Sequence, residues 1–213
     1  MGKLIGLSGR ARVGKDTVGS ILKLSSAWHS SEYFKKRYPN QKDFILSSLN
    51  LHSKVAYEPS KYKTIAFADV LKGVLAFILG EDDIEKMYDE LYKTSPNSLG
   101  LKDSEGNVYT VRELLQRLGT ETGRVLDPNI WIKSTFNYMR NEYGYIITDV
   151  RFKNEAEACK EKGATLIRIN REAPDMDHVS EHDLDDYDKF DYVIDNNGTL
   201  EELIDKVLQL NLV

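Results

Sequence analysis

The sequence has little of what marks secreted, membrane-spanning or nucleic-acid-coating proteins. Its single cysteine, Cys159, excludes an intramolecular disulfide and a cysteine-rich zinc site. No apolar run reaches the roughly 18 residues of a membrane-spanning helix, and the apolar N-terminal segment gives way to Ser8 and Gly9 too early for a secretory signal. Basic residues do not outnumber acidic ones, 29 against 34, which argues against a protein that coats nucleic acid. We therefore expect a soluble, cytoplasmic protein with no nucleic acid or membrane partner.

The composition is that of an ordinary globular protein. Hydrophobic residues make up 41% of the 213 residues, and charged residues make up 30%. This apolar content is enough for a sizeable core and argues against disorder over the whole chain. The length suits one domain over residues 1–213, with room for an insertion.

Apolar runs that alternate with helical periodicity predict an α/β fold with a parallel sheet covered on both faces. The predicted strands are residues 3–8, 64–67, 145–149, 165–169 and 192–195. The predicted helices are residues 16–24, 70–79, 111–118, 129–140, 154–161 and 200–210. Thr110 and Glu113 form a capping box at the start of the third helix.

Three segments depart from this alternation. Residues 26–63 contain many Ser, Tyr and Lys residues and two prolines, which predicts an insertion with one helix near residues 31–37. Residues 81–107 are predicted to be irregular, within a helical region of about residues 68–140. The acidic segment of about residues 171–191 predicts a solvated loop. A mobile lid, with Arg168 and Arg171 on either side closing over ATP, is the alternative.

Residues 9–17, GRARVGKDT, have the P-loop spacing G-x-x-x-x-G-K between a predicted strand and a predicted helix. Glycines let backbone N–H groups curl around phosphate oxygens, and the N-terminus of the helix favours negative charge. Lys15 then reaches the β- and γ-phosphates. The alternative is a glycine turn that only caps a helix. The spacing predicts nucleotide binding.

The residue after Lys15 in a P-loop is usually the Ser or Thr that contacts magnesium. Here it is Asp16, and Thr17 follows. Two arrangements stay open. Either Asp16 holds the metal through a water molecule, or Thr17 contacts an α-phosphate.

A second carboxylate, Asp149, ends an apolar strand, which predicts a position beside the P-loop at the carboxyl edge of the sheet. A helix N-cap is the alternative role for Asp149. Arg151 and Glu155 follow closely. No N-K-x-D guanine-reading segment occurs in the chain, which argues against a regulatory GTPase.

Several further segments resemble the deoxynucleoside monophosphate kinases of bacterial viruses and their bacterial relatives. In chain order they are residues 8–17 (SGRARVGKDT), 67–69 (FAD) with Lys72, 111–124 (VRELLQRLGTETGR), Trp131, 149–155 (DVRFKNE), 178–181 (HVSE) and 196–203 (NNGTLEEL). The resemblance covers nearly the whole chain except residues 26–63 and 81–107. The longer insertion at 26–63 departs from the family.

The resemblance implies a three-layer α/β/α P-loop kinase fold and the reaction ATP + dNMP → ADP + dNDP, with Mg²⁺, in nucleotide biosynthesis. It implies a homodimer, and the host cytoplasm as the location if the protein is viral. It assigns ATP phosphates and metal to Gly9, Gly14, Lys15, Asp16 and Thr17, with the metal at Asp16 and Thr17. It places around the monophosphate substrate Asp69, Lys72, Arg112, Gln116, Thr120, Arg124, Trp131, Asp149, Arg151 and Glu155.

Phosphoryl transfer requires two polyanions to be aligned and their charge neutralised, and arginine forks suit this task. We expect Lys15 and Arg151 to stabilise the transition-state charge. Other residues keep alternatives: Arg112 as a solvated side chain, Arg124 paired with Glu121, and Trp131 either stacked on the base or packed in the core.

Two other interpretations of the whole chain remain open. One is a different small-molecule P-loop kinase similar to dephospho-CoA kinase, because residues 196–203 are shared with that family. The other is a nucleotide-binding subunit without catalysis. Within that segment, residues 196–198 predict either a turn beside adenine or a plain turn before a capped helix.

Overall fold

The computed structural model describes residues 3–50, 60–172 and 182–213 of the chain. The chain divides into two compact units. The first comprises residues 1–66 and 139–213, and the second comprises residues 67–138. The second unit nearly coincides with the helical region predicted at about residues 68–140. The predicted segment 178–181 lies outside the described residues.

Five parallel strands form the sheet of the first unit in the order β2-β3-β1-β4-β5. The strands are β1 (Leu4–Ser8), β2 (Tyr62–Ile65), β3 (Gly144–Val150), β4 (Thr165–Asn170) and β5 (Tyr192–Asp195). All five predicted strands are present, and the parallel arrangement is confirmed. One boundary was wrong, because Phe67 begins a helix and does not end β2.

The helices are α1 (Lys15–Ser30), α2 (Glu32–Arg37), α3 (Gln41–Asn50), α4 (Phe67–Leu79), α5 (Glu90–Thr94), α6 (Val111–Gln116), α7 (Arg124–Leu126), α8 (Ile130–Tyr138), α9 (Lys153–Glu161) and α10 (Leu200–Gln209). In the first unit, α1, α3 and α10 share one core with the apolar side chains of β1, β3 and β4. Helix α9 buries Ala156 and Cys159 and packs on β1 and β4. Helices therefore flank the sheet, as a P-loop kinase fold requires.

The prediction of a single helix within residues 26–63 is wrong, because residues 26–50 include the end of α1, all of α2 and all of α3. Serines have low helix propensity, but here tertiary contacts compensate for it. Ser25 accepts a 2.7 Å hydrogen bond from Gln41 of α3, and Ser26 accepts one from the Lys61 backbone. Phe44 and Ile45 of α3 are fully buried in the core. The predicted helix near residues 31–37 is confirmed.

The second unit is helical, and residues 81–107 are more ordered than predicted. A 3-10 helix (Ile84–Tyr88) and α5 occupy part of this segment. Asp83 and Asp89 cap them by accepting hydrogen bonds from backbone N–H groups. The loop that follows is organised by buried Asn97, whose amide donates to the carbonyl oxygens of Leu101 and Tyr109.

The helix that starts at the predicted Thr110–Glu113 capping box changes its geometry after Gln116. Residues Arg117–Gly123 form a π-helix and lead into α7. Segments of π-helix are rare and occur often at functional sites. This change within the predicted helix could not be read from the apolar spacing. Among the residues that the structure describes, no helix is long and apolar enough to span a bilayer.

Candidate active site

The P-loop connects β1 to α1 and has the backbone that its glycines predict. Gly9 has a φ of 149° and Gly14 a φ of 102°, which L side chains rarely adopt. A Cβ on Gly9 would overlap the carbonyl oxygen of Ile169, and one on Gly14 would lie 2.6 Å from Nδ2 of Asn196. Both positions therefore require glycine for conformation and for space.

The side chain of Lys15 folds back and contacts the first residues of the P-loop. Its ammonium nitrogen lies 2.7 Å from the carbonyl oxygens of both Gly9 and Arg10. The side chain is buried, with 8% of its surface exposed. A buried cation surrounded by carbonyl oxygens at the start of a helix provides positive charge where a P-loop receives phosphate.

A buried asparagine supports the loop from the other side. Asn196 follows β5, and its side-chain amide donates a 2.8 Å hydrogen bond to the carbonyl oxygen of Val13. Its backbone N–H donates to the carbonyl oxygen of Asn170 at the end of β4. Thr199 and Glu202 form a capping box at the start of α10, so residues 196–198 precede a capped helix, and their contact with adenine stays a prediction.

Arg10 of the P-loop and Arg168 of β4 share one carboxylate. Asp185 accepts a hydrogen bond of 3.0 Å from Arg10 and one of 2.8 Å from Arg168. Arg168 also donates to the hydroxyl of Ser8. Burial by itself would raise the pKa of Asp185, but the hydrogen bonds from Arg10 and His182 and the two guanidinium charges outweigh it and lower the pKa.

The carboxyl end of β3 lies at the same end of the sheet as the P-loop, as predicted for Asp149. Strands β1 and β3 are parallel neighbours, and Ser8 is aligned with Val150. The Glu155 carboxylate is buried and accepts hydrogen bonds from the backbone N–H groups of Arg151, at 2.9 Å, and Phe152. Glu155 thus determines the backbone of the turn that carries Arg151.

Cys159 is not a nucleophile in this site. Burial, followed by the negative charges of Glu155 and Asp149, raises the pKa of the Cys159 thiol to about 12. The thiol therefore stays protonated at neutral pH, and its role is packing.

The residues available to a metal form a sparse set. Across residues 3–50, 60–172 and 182–213, no three His, Cys, Asp or Glu side chains are grouped so that they could hold a metal ion. Asp16 is exposed in the first turn of α1, and Thr17 follows it. One carboxylate and one hydroxyl fit Mg²⁺, which keeps several waters and takes phosphate oxygens as ligands. They do not form an all-protein cage.

In the second unit, Asp69 and Lys72 of α4 form a cluster with Tyr88. The Tyr88 hydroxyl donates a 2.7 Å hydrogen bond to Asp69. The Lys72 ammonium lies 3.7 Å from the Asp69 carboxylate and 3.7 Å from the centre of the Tyr88 ring. The two residues predicted to bind substrate are therefore held together by an aromatic residue that the sequence patterns did not indicate.

The predicted arginines of this unit have defined partners. Arg112 donates to Glu90 at 2.5 Å. Glu121 pairs with Arg117 of the same π-helix. Arg124 donates to the carbonyl oxygen of Pro128. Gln116 and Thr120 are exposed at the end of α6 and in the π-helix.

Trp131 packs in the core of the second unit. Only 8% of its surface is exposed, and its indole N–H donates a 2.9 Å hydrogen bond to the carbonyl oxygen of Gly119. Its ring fills the space where a side chain on Gly123 would be. Of the two roles that the sequence left open, this burial favours packing over stacking on a base.

Comparisons with known proteins agree with this arrangement of motifs. The family model for deoxynucleotide monophosphate kinases matches residues 80–207. A protein of Acanthamoeba polyphaga mimivirus named "Putative deoxynucleotide monophosphate kinase" is 32% identical over 161 residues, which is 67% of this chain and 79% of the relative. The chain belongs to the deoxynucleotide monophosphate kinase family.

Two phage enzymes named deoxynucleotide monophosphate kinase are also similar. That of Escherichia phage RB69 is 30% identical over 118 residues, covering 50% of this chain and 48% of the phage protein. That of Enterobacteria phage T4 is 29% identical over 154 residues, covering 65% and 64% of the two chains. Membership in this family confirms the resemblance and favours a kinase of deoxynucleoside monophosphates over both alternatives.

Each of the two units contains residues that the sequence predicted for the site. The first unit contains the P-loop residues together with Asp149, Arg151 and Glu155, at the carboxyl ends of the strands. The second unit contains the other predicted substrate residues. The substrate, metal and transition-state roles of all these residues stay predictions. Sequence reasoning missed the roles of Asp185, Asn196 and Tyr88. Only the position of Asn196 after a strand was a usable signal.

Proposed function

We propose that this member of the deoxynucleotide monophosphate kinase family transfers the γ-phosphoryl group of ATP to a deoxynucleoside 5′-monophosphate. A phosphate oxygen of the acceptor forms the new bond to the γ-phosphorus, the bond to the β–γ bridging oxygen breaks, and ADP leaves. The products are ADP and a deoxynucleoside diphosphate. The observation that carries the proposal is the closed P-loop with Lys15 buried across it, in a chain of this family.

The P-loop residues would hold ATP. Gly9 and Gly14 allow backbone N–H groups to approach the phosphates, because a side chain at either position would occupy that space. When ATP binds, Lys15 would exchange its carbonyl partners for β- and γ-phosphate oxygens. It would then remain beside the γ-phosphoryl group while the negative charge on that group shifts during transfer.

Asp16 and Thr17 are the residues that would hold Mg²⁺, and the ion would supply positive charge that stabilises the negative charge developing on the transferred phosphoryl group. Asp16, at the N-terminus of α1, is also favoured there by the helix dipole.

Arg151 would stabilise the charge on the transferred phosphoryl group. Its backbone is held by Glu155, so the guanidinium extends from a defined turn at the end of β3. Guanidinium stays charged and binds two phosphate oxygens at once. Asp149 precedes it at the same edge as the P-loop.

Residues of the second unit would bind the acceptor. Lys72 supplies a point charge and Arg112 and Arg124 supply forked donors, each of which now has a protein partner to exchange for phosphate. Gln116 and Thr120 are exposed and have groups able to hydrogen-bond the nucleoside. If this protein is viral, as these relatives are, the host cytoplasm is the expected site of action.

The experiment that tests the proposal is ADP release from Mg-ATP with a panel of ribo- and deoxynucleoside monophosphates. Turnover with one or more deoxynucleotides, lost in Lys15→Ala, would support the kinase and identify the base. ATP binding without turnover on any of them would refute the proposed acceptor. Retention of turnover in Lys15→Ala would refute the proposed ATP site.

A further inference from the structure

Asn196 has no part in the function proposed so far, although its side chain is buried against the P-loop. It is the first residue after β5, with 7% of its surface exposed. Its backbone N–H donates a 2.8 Å hydrogen bond to the carbonyl oxygen of Asn170, which ties this turn to the end of β4. A polar side chain buried on a fixed backbone is a rigid support, because its position is set by the sheet.

The side-chain amide of Asn196 acts on one peptide group of the loop. Its Nδ2 donates to the carbonyl oxygen of Val13 at 2.8 Å. A trans peptide group is planar, and its C=O and N–H point in opposite directions. Because Asn196 holds the Val13 carbonyl toward itself, the N–H of Gly14 in the same peptide group points away from Asn196.

The next peptide group is held in the same way by α1. The Gly14 carbonyl accepts a 3.0 Å hydrogen bond from the Val18 N–H in the first turn of the helix. Two successive carbonyls are thus fixed from outside the loop, one by the helix and one by Asn196. The first N–H groups of a helix have no acceptor within it and are the donors that bind phosphate.

We propose that Asn196 is a positioning residue of the ATP site, which orients the Gly14 N–H toward the phosphates by holding the Val13 carbonyl. The inference rests on the proposed function, because it takes the P-loop to bind ATP. Asn196 does not contact the reacting atoms. It acts through the loop backbone, which at Gly14 has a φ that few residues adopt and is otherwise without a side chain to hold it.

Asn196→Asp is the sharpest variant, because it keeps the shape and replaces the donating NH₂ by an oxygen. Asn97→Asp is the matched control. Asn97 is equally buried and also donates from its side-chain amide to backbone carbonyls, but in the second unit. Both variants should lower the melting temperature. Only Asn196→Asp should weaken ATP binding, by about fivefold to tenfold for one lost hydrogen bond, with the KM for the deoxynucleotide changed less than twofold.

The pH dependence separates a local effect at the P-loop from general destabilisation, and Asn196→Ala, which adds no charge beside the phosphates, should weaken ATP binding as well if the lost hydrogen bond and not charge repulsion is the cause. The introduced carboxyl cannot donate to the Val13 carbonyl when ionised, but it can donate when protonated, and burial raises its pKa. The ratio of ATP dissociation constants, Asn196→Asp over wild type, should therefore fall toward one as pH is lowered from about 8 to about 5.5. A merely structural defect would keep or enlarge that ratio in acid.

The outcomes distinguish this inference from the proposed function. A wild-type protein that neither binds ATP nor turns over would refute the function, whatever the variants do. A wild-type kinase whose Asn196→Asp variant binds ATP normally, or no worse than Asn97→Asp, would overturn the inference. If Asn196→Asp does not fold, Asn196→Ala at neutral pH gives the same comparison. In the unmodified protein, a through-hydrogen-bond NMR coupling from Asn196 Nδ2 to the Val13 carbonyl should persist when ADP binds, and its loss would also overturn the inference.

Discussion

The ammonium nitrogen of Lys15 donates a hydrogen bond of 2.7 Å to the carbonyl oxygen of Gly9, six residues earlier in the chain. The positively charged ammonium of Lys15 is therefore hydrogen-bonded to neutral carbonyl oxygens of the P-loop itself. When a phosphate takes their place, a neutral acceptor is exchanged for an anionic one, and hydrogen bonds to charged groups are the stronger kind.

Lys15→Ala should reduce turnover by about a hundredfold to a thousandfold, the usual effect of removing one donor that stabilises transition-state charge. The loop loses a cation but no apolar packing, so the fold should persist by circular dichroism. Lys23→Ala, two turns further along α1, is the control with the same change of charge. ADP release measures both, and equal activities would exclude Lys15 from the chemistry.

Arg151→Ala should lower kcat strongly while the dissociation constant of ATP changes little, because the guanidinium acts on the transferred group. The turn should stay intact, since Glu155 binds the backbone N–H of residue 151 and not its side chain. Arg151→Lys should recover only part of the rate, because an ammonium lacks the two-pronged geometry. Exposed Arg140 provides the control Arg140→Ala. A kcat that is unchanged in Arg151→Ala would remove this residue from the mechanism.

Gly14→Ala should abolish ATP binding and destabilise the fold more than Gly163→Ala. Both glycines have a positive φ, which costs an L residue about 1–2 kcal/mol. The Cβ at residue 163 meets open space, whereas that at residue 14 lies 2.6 Å from Asn196 Nδ2. Urea denaturation compares the free energies of unfolding, and an equal loss in the two variants would contradict the contact with Asn196.

Asp185→Asn should destabilise the protein at neutral pH and have little effect in acid. The folded-state pKa of Asp185 is lowered, so the unfolded chain binds more protons in the acid range. The stabilisation is therefore present above the unfolded pKa and is lost as pH falls through the folded one. Unfolding free energies at about pH 7 and about pH 3 test this. Asp188→Asn, at an exposed position, is the control with the same change of charge.

Trp131→Phe should raise the KM for the deoxynucleotide. The variant removes the indole donor to the Gly119 carbonyl, which in the π-helix also accepts from the Arg124 N–H. The segment that carries Thr120 and Arg124 would then lose one hydrogen bond that holds it, which should lower the free energy of unfolding by about 1 kcal/mol. Steady-state kinetics and thermal unfolding measure the two effects.

Trp28→Phe is the matched control for this change. Its indole N–H also donates to a backbone carbonyl, that of Tyr38, in the first unit. Stability should fall by a similar amount, with the KM for the deoxynucleotide unchanged. Equal KM values in the two variants would show that Trp131 does not support the substrate site.

Much of the fold was predictable because its signals are local. The five strands are apolar runs closed by turn residues, and the capping boxes at Thr110 and Thr199 mark helix starts by their spacing alone. The errors lay where local preference was weak. Ser25 and Ser26 lie within α1 because Gln41 and the Lys61 backbone bind their hydroxyls, and those partners are distant in sequence.

The residues of the candidate site also differ in whether a local signal in the sequence predicts them. The glycine spacing, Lys15 and the carboxylate at the end of β3 were readable from the sequence, because each depends on residue type and on the strand beside it. The roles of Asp185 toward Arg10 and of Asn196 toward Val13 were not, since each joins residues more than 170 positions apart. Nothing in the neighbourhood of either residue encodes that partner.

The sequence alone therefore determined the strand order along the chain, the phosphate-binding loop and the kinase family, which depend on short-range spacing and on motifs. Only the tertiary structure decided which side chains support that loop, where the predicted helix becomes a π-helix, and that Trp131 is packed in a core. These features depend on backbone segments that meet when the sheet and helices pack. Burial and hydrogen-bond partners are properties of that packing, and no local pattern specifies them.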